Sequence, residues 1–581
     1  MVGKRSTQGY LFSAEQRLRH KIGEESFYAV LADHRHELFR DEDFAMLYCS
    51  NNGRSSVPPS LLAVTLLLQT FDHASDQEAT DRAKFDQRWQ FALGIGDDEV
   101  PFAKSTLCLF RNQLIIHKNA KFIFHKGIEF LRTHGFMKKH GAHIVLDTTP
   151  IFGKGAVQDT FNMLAEGLRQ VLNVLATLES TSIEQFALAN DFRRYIAPSY
   201  KGTWTLNWDN EQERQVVLQS LVADCQRVLA LASCALALCD KESPEATQIL
   251  QASELLSKLL AQDVRENLAG TPEIIQGVAR DRIIAVHDPE MRHGHKSKTQ
   301  RFDGYKGSLA VESETQVITD VDVLPANVHD HQNATQLIDN SAATLQAPIE
   351  GIIGDGAYGN VEARVDAQTK GHTLVAPVGR PARTGRFTKD DFTINLQTSA
   401  VSCPAAHTTT TWSPATVQTQ RGTVFANKAF RFSREQCSGC ALRAQCLKPS
   451  TPFRSISVHE QEALLQQAKA FQRTEEFRTQ YRKRVLVEHR IARVVRLGVR
   501  TARYVGSKKV LFQLAMAATV ANLTLWAGHE THSPFLIFAF SLFSSLLVFT
   551  LPRMRYELLG FARQPIVVLN NYGSAKTGVL D

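Results

Sequence analysis

The chain has 581 residues and 64.8 kDa, room for roughly three or four hydrophobic cores at about 100 to 200 residues per domain. With 43% hydrophobic and 22% charged residues it is excluded from the disordered class, and its formal charge of +7 suits a polyanionic partner without specifying one. Nine cysteines, odd in number and unevenly placed, argue against a disulfide-framed secreted domain and predict a reducing compartment.

Met1 to Tyr10 is polar and does not read as a signal peptide, so a cytoplasmic, nucleoid-associated location is expected. Ser13 and Gln16 have capping-box spacing, and helical periodicity in Glu15 to Phe39, Pro59 to Phe71 and Ala103 to Leu131 predicts a helical N-terminal domain over residues 1–138. At His143 to Asp147 the run HIVLD is β-rich and Thr148, Thr149 and Pro150 follow, which predicts a buried strand ending on a carboxylate. Helical spacing returns from Thr160 to about Leu268, through Leu218 to Leu238 and Ile249 to Leu260, and marks a helical insertion over 156–274. Tyr305 to Val311 and Val317 to Val323 read as a hairpin, and Ile349 to Ile353 as a further buried strand. Residues 376–456, rich in Thr, Gly, Pro and Arg, read as a small β insertion with four cysteines. From Val458 the pattern is helical to about Trp526, and an apolar tail occupies 531–581. The fold class is therefore α/β, in several domains.

Two aspartates stand in apolar settings: Asp147 in IVLDTTP and Asp355 in GIIGDGAYG. Small neighbours such as Gly354 and Gly356 would let a phosphate approach, although an Asp followed by Gly is more often just a turn. A third carboxylate, Glu488, follows Tyr481 and Arg484 as Y-x2-R-x3-E. At 100° per residue Tyr481 and Arg484 lie within about 40° of Glu488 on a helix, while Arg490, Arg493, Arg496, Arg500 and Arg503 follow along another side. Ten Lys or Arg and one acid lie between Tyr481 and Lys509, a concentrated footprint for a nucleic-acid backbone.

In these motifs the sequence resembles the DDE transposases of bacterial insertion sequences, in the branch with the YREK signature. Asp147 matches the first aspartate, Asp355 with Tyr358 three residues on matches the second, and Tyr481, Arg484 and Glu488 match the Y, R and E. The resemblance runs from about residue 20 to about 526 and includes VHDPEMRHGHKSKTQRFDGYKG at 286–307; the lysine of the signature falls at Val495, with Arg496 beside it. It implies an RNase H-like catalytic core assembled from 139–155, 275–375 and 457–530. In that core Asp147, Asp355 and Glu488 would hold two Mg²⁺ or Mn²⁺ ions for cut-and-paste chemistry. The implied partners are double-stranded DNA, as terminal inverted repeats and target, and further copies of the chain in a homodimer or larger assembly. Tyr481 and Arg484 would hold the DNA backbone. A transposase-derived DNA-binding protein without activity is one alternative, favoured by Val495, and a protein attached to a membrane through its apolar C-terminal tail is another.

Further readings remain open in the sequence. Arg292, His293, His295, Lys296, Lys298, Arg301 and Lys306 form a cationic run, a DNA-clamping loop or a solvated one; its HGH triplet is a weak metal signal. Cys403, Cys437, Cys440 and Cys446 are a candidate structural Zn²⁺ site or free thiols. Trp204 and Trp208 read as core anchors of an irregular loop rather than base-stacking platforms. Phe535 to Leu551 carries no charge over 17 residues and reads as a buried helix or subunit contact rather than a membrane anchor.

Overall fold

The computed structural model describes residues 14–531 except 24, 50–54, 97–98, 100, 119, 138–140, 241, 278, 280, 297–298, 380–384 and 419–421. The apolar stretch Phe535 to Leu551 and the side chain of Lys298 lie outside the described residues.

The first part is helical: α1 (Ala14–Ile22), α2 (Phe27–Leu38), α3 (Pro59–Phe71), α4 (Asp76–Phe85), α5 (Gln87–Leu93), α6 (Lys104–Gln113) and α7 (Phe122–Thr133). α3 is buried from Pro59 to Gln69, which explains why it is apolar nearly all round, and Pro59 opens it where no N–H partner is required. Ser75 and Glu78 form a reciprocal capping box that starts α4.

A mixed sheet follows. Its strands are β1 (Ala142–Phe152), the minor pair β2 (Val264–Glu266) and β3 (Pro272–Ile274) standing apart, then β4 (Arg292–His295), β5 (Arg301–Glu312), β6 (Ile318–Pro325), β7 (Ile349–Ile353) and β8 (Thr373–Val375). The order is β4-β5-β1-β7-β8, with β6 also on β5. β5 and β6 form the hairpin predicted at 305–323, and β7 coincides with the predicted strand. β1 is antiparallel to β5 and parallel to β7, and β8 is parallel to β7.

β1 does not end on Asp147, as the sequence suggests; it continues five residues to Phe152. The reason is β5, which pairs with it from Ile144↔Glu312 to Phe152↔Gly304 and overrides the turn signal of Thr148 to Pro150. The N–H of Phe152 donates to Arg500 O at 2.9 Å, on the edge away from β5. Pro150, two residues earlier, directs its missing N–H to the same edge, beyond the last β7 partner, so the proline costs no ladder bond.

Between β1 and β4 the chain builds α8 (Thr160–Leu178), α9 (Ile183–Ala189), α10 (Glu211–Leu238) and α11 (Pro244–Asp263) around a core of their own. Trp204 and Trp208 pack against that core. α10 is long and apolar enough to cross a membrane by length and composition, yet its buried residues Val217, Leu218, Leu221, Cys225, Val228 and Ala232 follow the single stripe of a helix packed on one side.

α12 (Ala334–Leu345) lies between β6 and β7, and α13 (Val361–Thr369) between β7 and β8. Residues 393–458 then form β9 (Thr393–Asn395), β10 (Ala400–Ser402), β11 (Thr408–Thr409), β12 (Trp412–Gln418), β13 (Val424–Arg431) and β14 (Ser455–Val458), with short helices α14 (Arg434–Ser438) and α15 (Arg443–Cys446). A small core of Phe392, Val401, Phe430, Phe432, Ile456 and Val458 holds this region.

The rest is α16 (Glu462–Phe471), α17 (Glu475–Arg482), α18 (Val485–Val494) and α19 (Ser507–Thr531). α19 is buried through most of its described length, and Asn522 pins it to β6 by accepting from Ile318 N at 2.9 Å and donating to Ile318 O at 2.8 Å. This stretch is not one continuous helix. Leu497 and Gly498 (φ +89°) leave helical geometry, a backbone that glycine adopts freely and other residues rarely.

Gly304 shows how tightly the sheet is closed. At φ +145° an added Cβ would lie 2.3 Å from both Gly153 N and Ile151 O. Gly304→Ala is expected to destabilise the protein by at least ~2 kcal/mol, through strain and the forced opening of the β1–β5 pair. Chemical denaturation checks this: an unchanged midpoint would mean that the backbone relaxes without loss.

Candidate active site

The parallel pair β1–β7 sets the position of two carboxylates. Val145 is paired with Ile353, and Asp147 and Asp355 each follow two residues later on neighbouring strands. Both therefore stand where β7 ends, at the carboxyl edge where parallel sheets present ligand sites. Asp147 accepts from the N–H of Thr148 at 2.7 Å, and Asp355 accepts from the N–H of Ala357 at 2.9 Å in a tight turn. Gly354 is required because a Cβ there would sit 2.7 Å from Tyr358 Cβ, whereas Gly356 faces open space.

Glu488 comes from α18, and one guanidinium ties it to the sheet. Arg484 donates to Asp147 Oδ2 at 3.1 Å and to Glu488 Oε1 one helical turn away. Tyr481 lies on α17, which ends before α18 begins, but Lys483 between them keeps near-helical angles (φ −63°, ψ −15°), so the face continues across the junction. Tyr481 stacks on Phe477 at 5.4 Å between ring centres, and burial raises its phenol pKa. Its hydroxyl also feels Arg484, Asp355, Asp147 and Glu488, so the three acids predicted from the sequence share one neighbourhood.

Burial pushes the Asp147 carboxyl up to about 6, and the nearby charge of Asp355 adds to the rise that Thr148 N–H and Arg484 oppose. Asp330 contributes in the same direction. This fourth acid went unnoticed in the sequence, because a lone Asp in LPANVHDHQN carries no distinguishing pattern; only the fold brings it beside Asp147. Tyr358 is fully buried among Asp330, Asp147 and Asp355, and its hydroxyl has no hydrogen-bond partner within the protein. Asp147, Asp355, Glu488 and Asp330, with Arg484 and Lys306 among them, offer oxygen donors of the kind that hard divalent ions take, although no three of these acids bring oxygens within 4.8 Å of one another.

The basic residues are distributed differently from the predicted stripe. Arg490 is buried and its pKa falls to about 10 from loss of solvation. Arg493 reaches Thr524 at 3.4 Å, Arg500 donates to Thr149 Oγ1 and Pro150 O at 3.1 and 2.9 Å, and Arg503 donates to Ala74 O at 2.9 Å. Arg496 is exposed. The break at Gly498 turns Arg500 and Arg503 away from the helix that bears Arg490 and Arg493, so a single continuous face does not form. The run at 292–306 is a hairpin rather than a loop, since β4 pairs with β5 from Arg292↔Gly304 to His295↔Arg301. His293 is hydrogen-bonded to Asp303 at 2.6 Å, and Lys306 is held by Asp330 at 2.6 Å and Val328 O at 2.7 Å; Arg301 is exposed.

Comparison with known families adds two matches. Residues 402–525 match a family described as "Transposase DDE domain", and residues 16–113 match one described as "Transposase domain (DUF772)". The matches place the chain among DDE-type transposases of the insertion-sequence kind. The first covers the cysteine group, Tyr481, Arg484 and Glu488; the second covers α1 to α6, and Asp147 and Asp355 fall between the two. No curated protein and no solved structure gives a significant match. A transposase of this type acts on DNA, and its DDE domain implies dependence on a divalent metal.

The raised pKa of Asp147 makes a signed prediction for this transposase. In the folded state its pKa, about 6, exceeds that of the unfolded chain, near 3.9, so ionisation above pH 6 costs folding free energy that protonation removes below pH 4. Without divalent metal, Asp147→Asn should be more stable than the parent at pH 8 by up to ~3 kcal/mol, an advantage that shrinks as pH falls through 6 to 4. Urea melts across that range give the answer; a pH-independent difference would show that Asp147 is not the destabilising charge.

Proposed function

We propose that this transposase cleaves the ends of a mobile DNA element and joins them to a target by a cut-and-paste route, with Asp147, Asp355 and Glu488 as the ligands of two Mg²⁺ or Mn²⁺ ions. The observation that carries the reading is the convergence of three carboxylates from separate parts of the chain, two joined through Arg484 and the third beside Asp147. Strand-borne Asp147, Asp355 at a strand end and helix-borne Glu488 suit an RNase H-like core of the YREK branch. When bound, such an ion pair activates water and stabilises the departing 3′ oxygen.

The chain's own groups have separable tasks. Asp147 and Asp355, fixed by the β1–β7 register and by backbone N–H bonds, supply rigid oxygens; Glu488, exposed on α18, supplies an adjustable one. Arg484 offsets part of the charge of Asp147 and Glu488 while no metal is bound. Once their charge is taken up elsewhere, its planar fork is free to grip a DNA phosphate, and Tyr481 beside it offers an aromatic edge to the same strand. Exposed Arg496 and Arg301 are the predicted basic residues best placed to reach the DNA backbone. Joining two element ends requires two sites, hence a dimer or larger assembly, and the location that fits the substrate is the cytoplasmic nucleoid.

Asp147→Asn, Asp355→Asn and Glu488→Gln are each expected to lower Mg²⁺-dependent nicking of a supercoiled plasmid carrying the element's ends by roughly a hundredfold or more. Binding to an end duplex should survive in all three. Cleavage near the parental rate in any variant removes that residue from the metal-binding set.

The cysteine group supports a second, structural metal. Burial raises the Cys446 thiol pKa, against Arg454, and Cys437, Cys403 and Cys440 each add to the rise; Cys403, Cys437 and Cys446 pack against one small core. No three of these sulfurs lie within 4.8 Å of one another, so binding a tetrahedral Zn²⁺ would require the thiols to move closer. Elemental analysis of protein purified without added metal should return about one zinc per chain; under a tenth of an equivalent, with all four thiols open to alkylation, identifies them as free.

A further inference from the structure

In the helical N-terminal part, two histidines face one carboxylate. His34 and Glu37 stand one turn apart on α2, and His134 caps the C-terminus of α7. His34 Nδ1 lies 3.2 Å from Glu37 Oε1 and His134 Nε2 lies 3.1 Å from Glu37 Oε2. The three ligand atoms are all within 4.8 Å of one another, and theirs is the only such group of three or more His, Cys, Asp or Glu among the described residues.

The proton on His134 can be placed. Its Nδ1 lies 2.9 Å from the carbonyl oxygen of Phe130, which can only accept, so Nδ1 carries the hydrogen and the neutral ring presents a lone pair at Nε2. A lone pair 3.1 Å from a carboxylate requires a positive charge between them, from a second ring proton or from a metal ion. Donation of the remote imidazole N–H to a backbone carbonyl is how metal-binding histidines are oriented. The side chains of His34, His134 and Glu37 are 21%, 25% and 54% exposed, which leaves access for an ion and for water in the remaining positions.

We propose that His34, Glu37 and His134 form a metal site for a borderline transition ion such as Zn²⁺ or Ni²⁺, fastening α2 to α7. Two imidazoles and one carboxylate select such ions, whereas Mg²⁺ prefers an all-oxygen set. The site is chemically distinct from the carboxylate site and need not compete with it. Trp526 of α19 stands edge-on to both rings, with centroids 5.0 Å from His34 and 5.3 Å from His134, so it reports occupancy and links the two helices to the buried C-terminal one.

The test is a Ni²⁺ titration of the full chain in excess Mg²⁺, read by tryptophan fluorescence. The parent should be quenched, His134→Gln and Glu37→Gln should each move the midpoint up by roughly tenfold or more, and Trp526→Phe should remove that quench. Thermal melting gives a second readout: Ni²⁺ should raise the melting temperature of the parent and lose this effect in His134→Gln. Both ligand variants alter solvent-accessible side chains, so they decide the matter even where Trp526→Phe fails to fold. Midpoints and melting shifts identical to the parent in both, or no quench at all, would overturn the site and leave a proton shared between the histidines and Glu37.

Discussion

The candidate site depends on one pairing, the short parallel contact between β1 and β7. Four residue pairs, ending at Val145↔Ile353, suffice to bring Asp147 and Asp355 near each other, with Asp355 two residues beyond the end of β7. Burial and the nearby charge of Asp355 make Asp147 resist ionisation, which a sheet built for stability alone would avoid. Arg484 offsets part of that effect, and its second arm brings Glu488 into the group. The acidic edge is thus a strained arrangement held in register by the hairpin and helices around it, as functional sites often are.

Much of this was legible in the sequence because the informative signals were local. Alternating and apolar runs located β5, β6 and β7, and the Y-x2-R-x3-E spacing put Arg484 within reach of Glu488 because i, i+4 geometry survives the junction between α17 and α18. What the sequence obscured were effects set by distant partners. Thr148 to Pro150 carried turn chemistry, yet the long antiparallel partner β5 drew them into strand. Asp330 looked like any loop aspartate until its position beside Asp147 could be seen. The break at Gly498 was invisible to a periodicity that continued on both sides of it.

The arginines show how composition can mislead about role. A dense cationic segment reads as a surface for phosphates, but Arg500 and Arg503 spend their donors on backbone carbonyls at Pro150 and Ala74, stitching the end of the chain to β1 and to the helical N-terminal region. Arg111 makes a similar tie, donating to Asp76 at 2.6 Å and to Tyr504 at 3.0 Å. A guanidinium remains charged and carries five donors, so it suits both tasks, and net charge alone cannot separate them.

The contact between Arg484 and Asp147 spans 337 residues, and its consequence is temporal. At the pace of translation, about 5 to 20 residues per second, roughly 17 to 70 s pass between synthesis of the first acid and that of the arginine and glutamate that complete the set. Phe152 likewise waits for Arg500 and Ala502 before its edge is closed. A growing chain therefore carries Asp147 long before Arg484 and Glu488 exist, and the carboxylate group can be completed only once the C-terminal helices have been made.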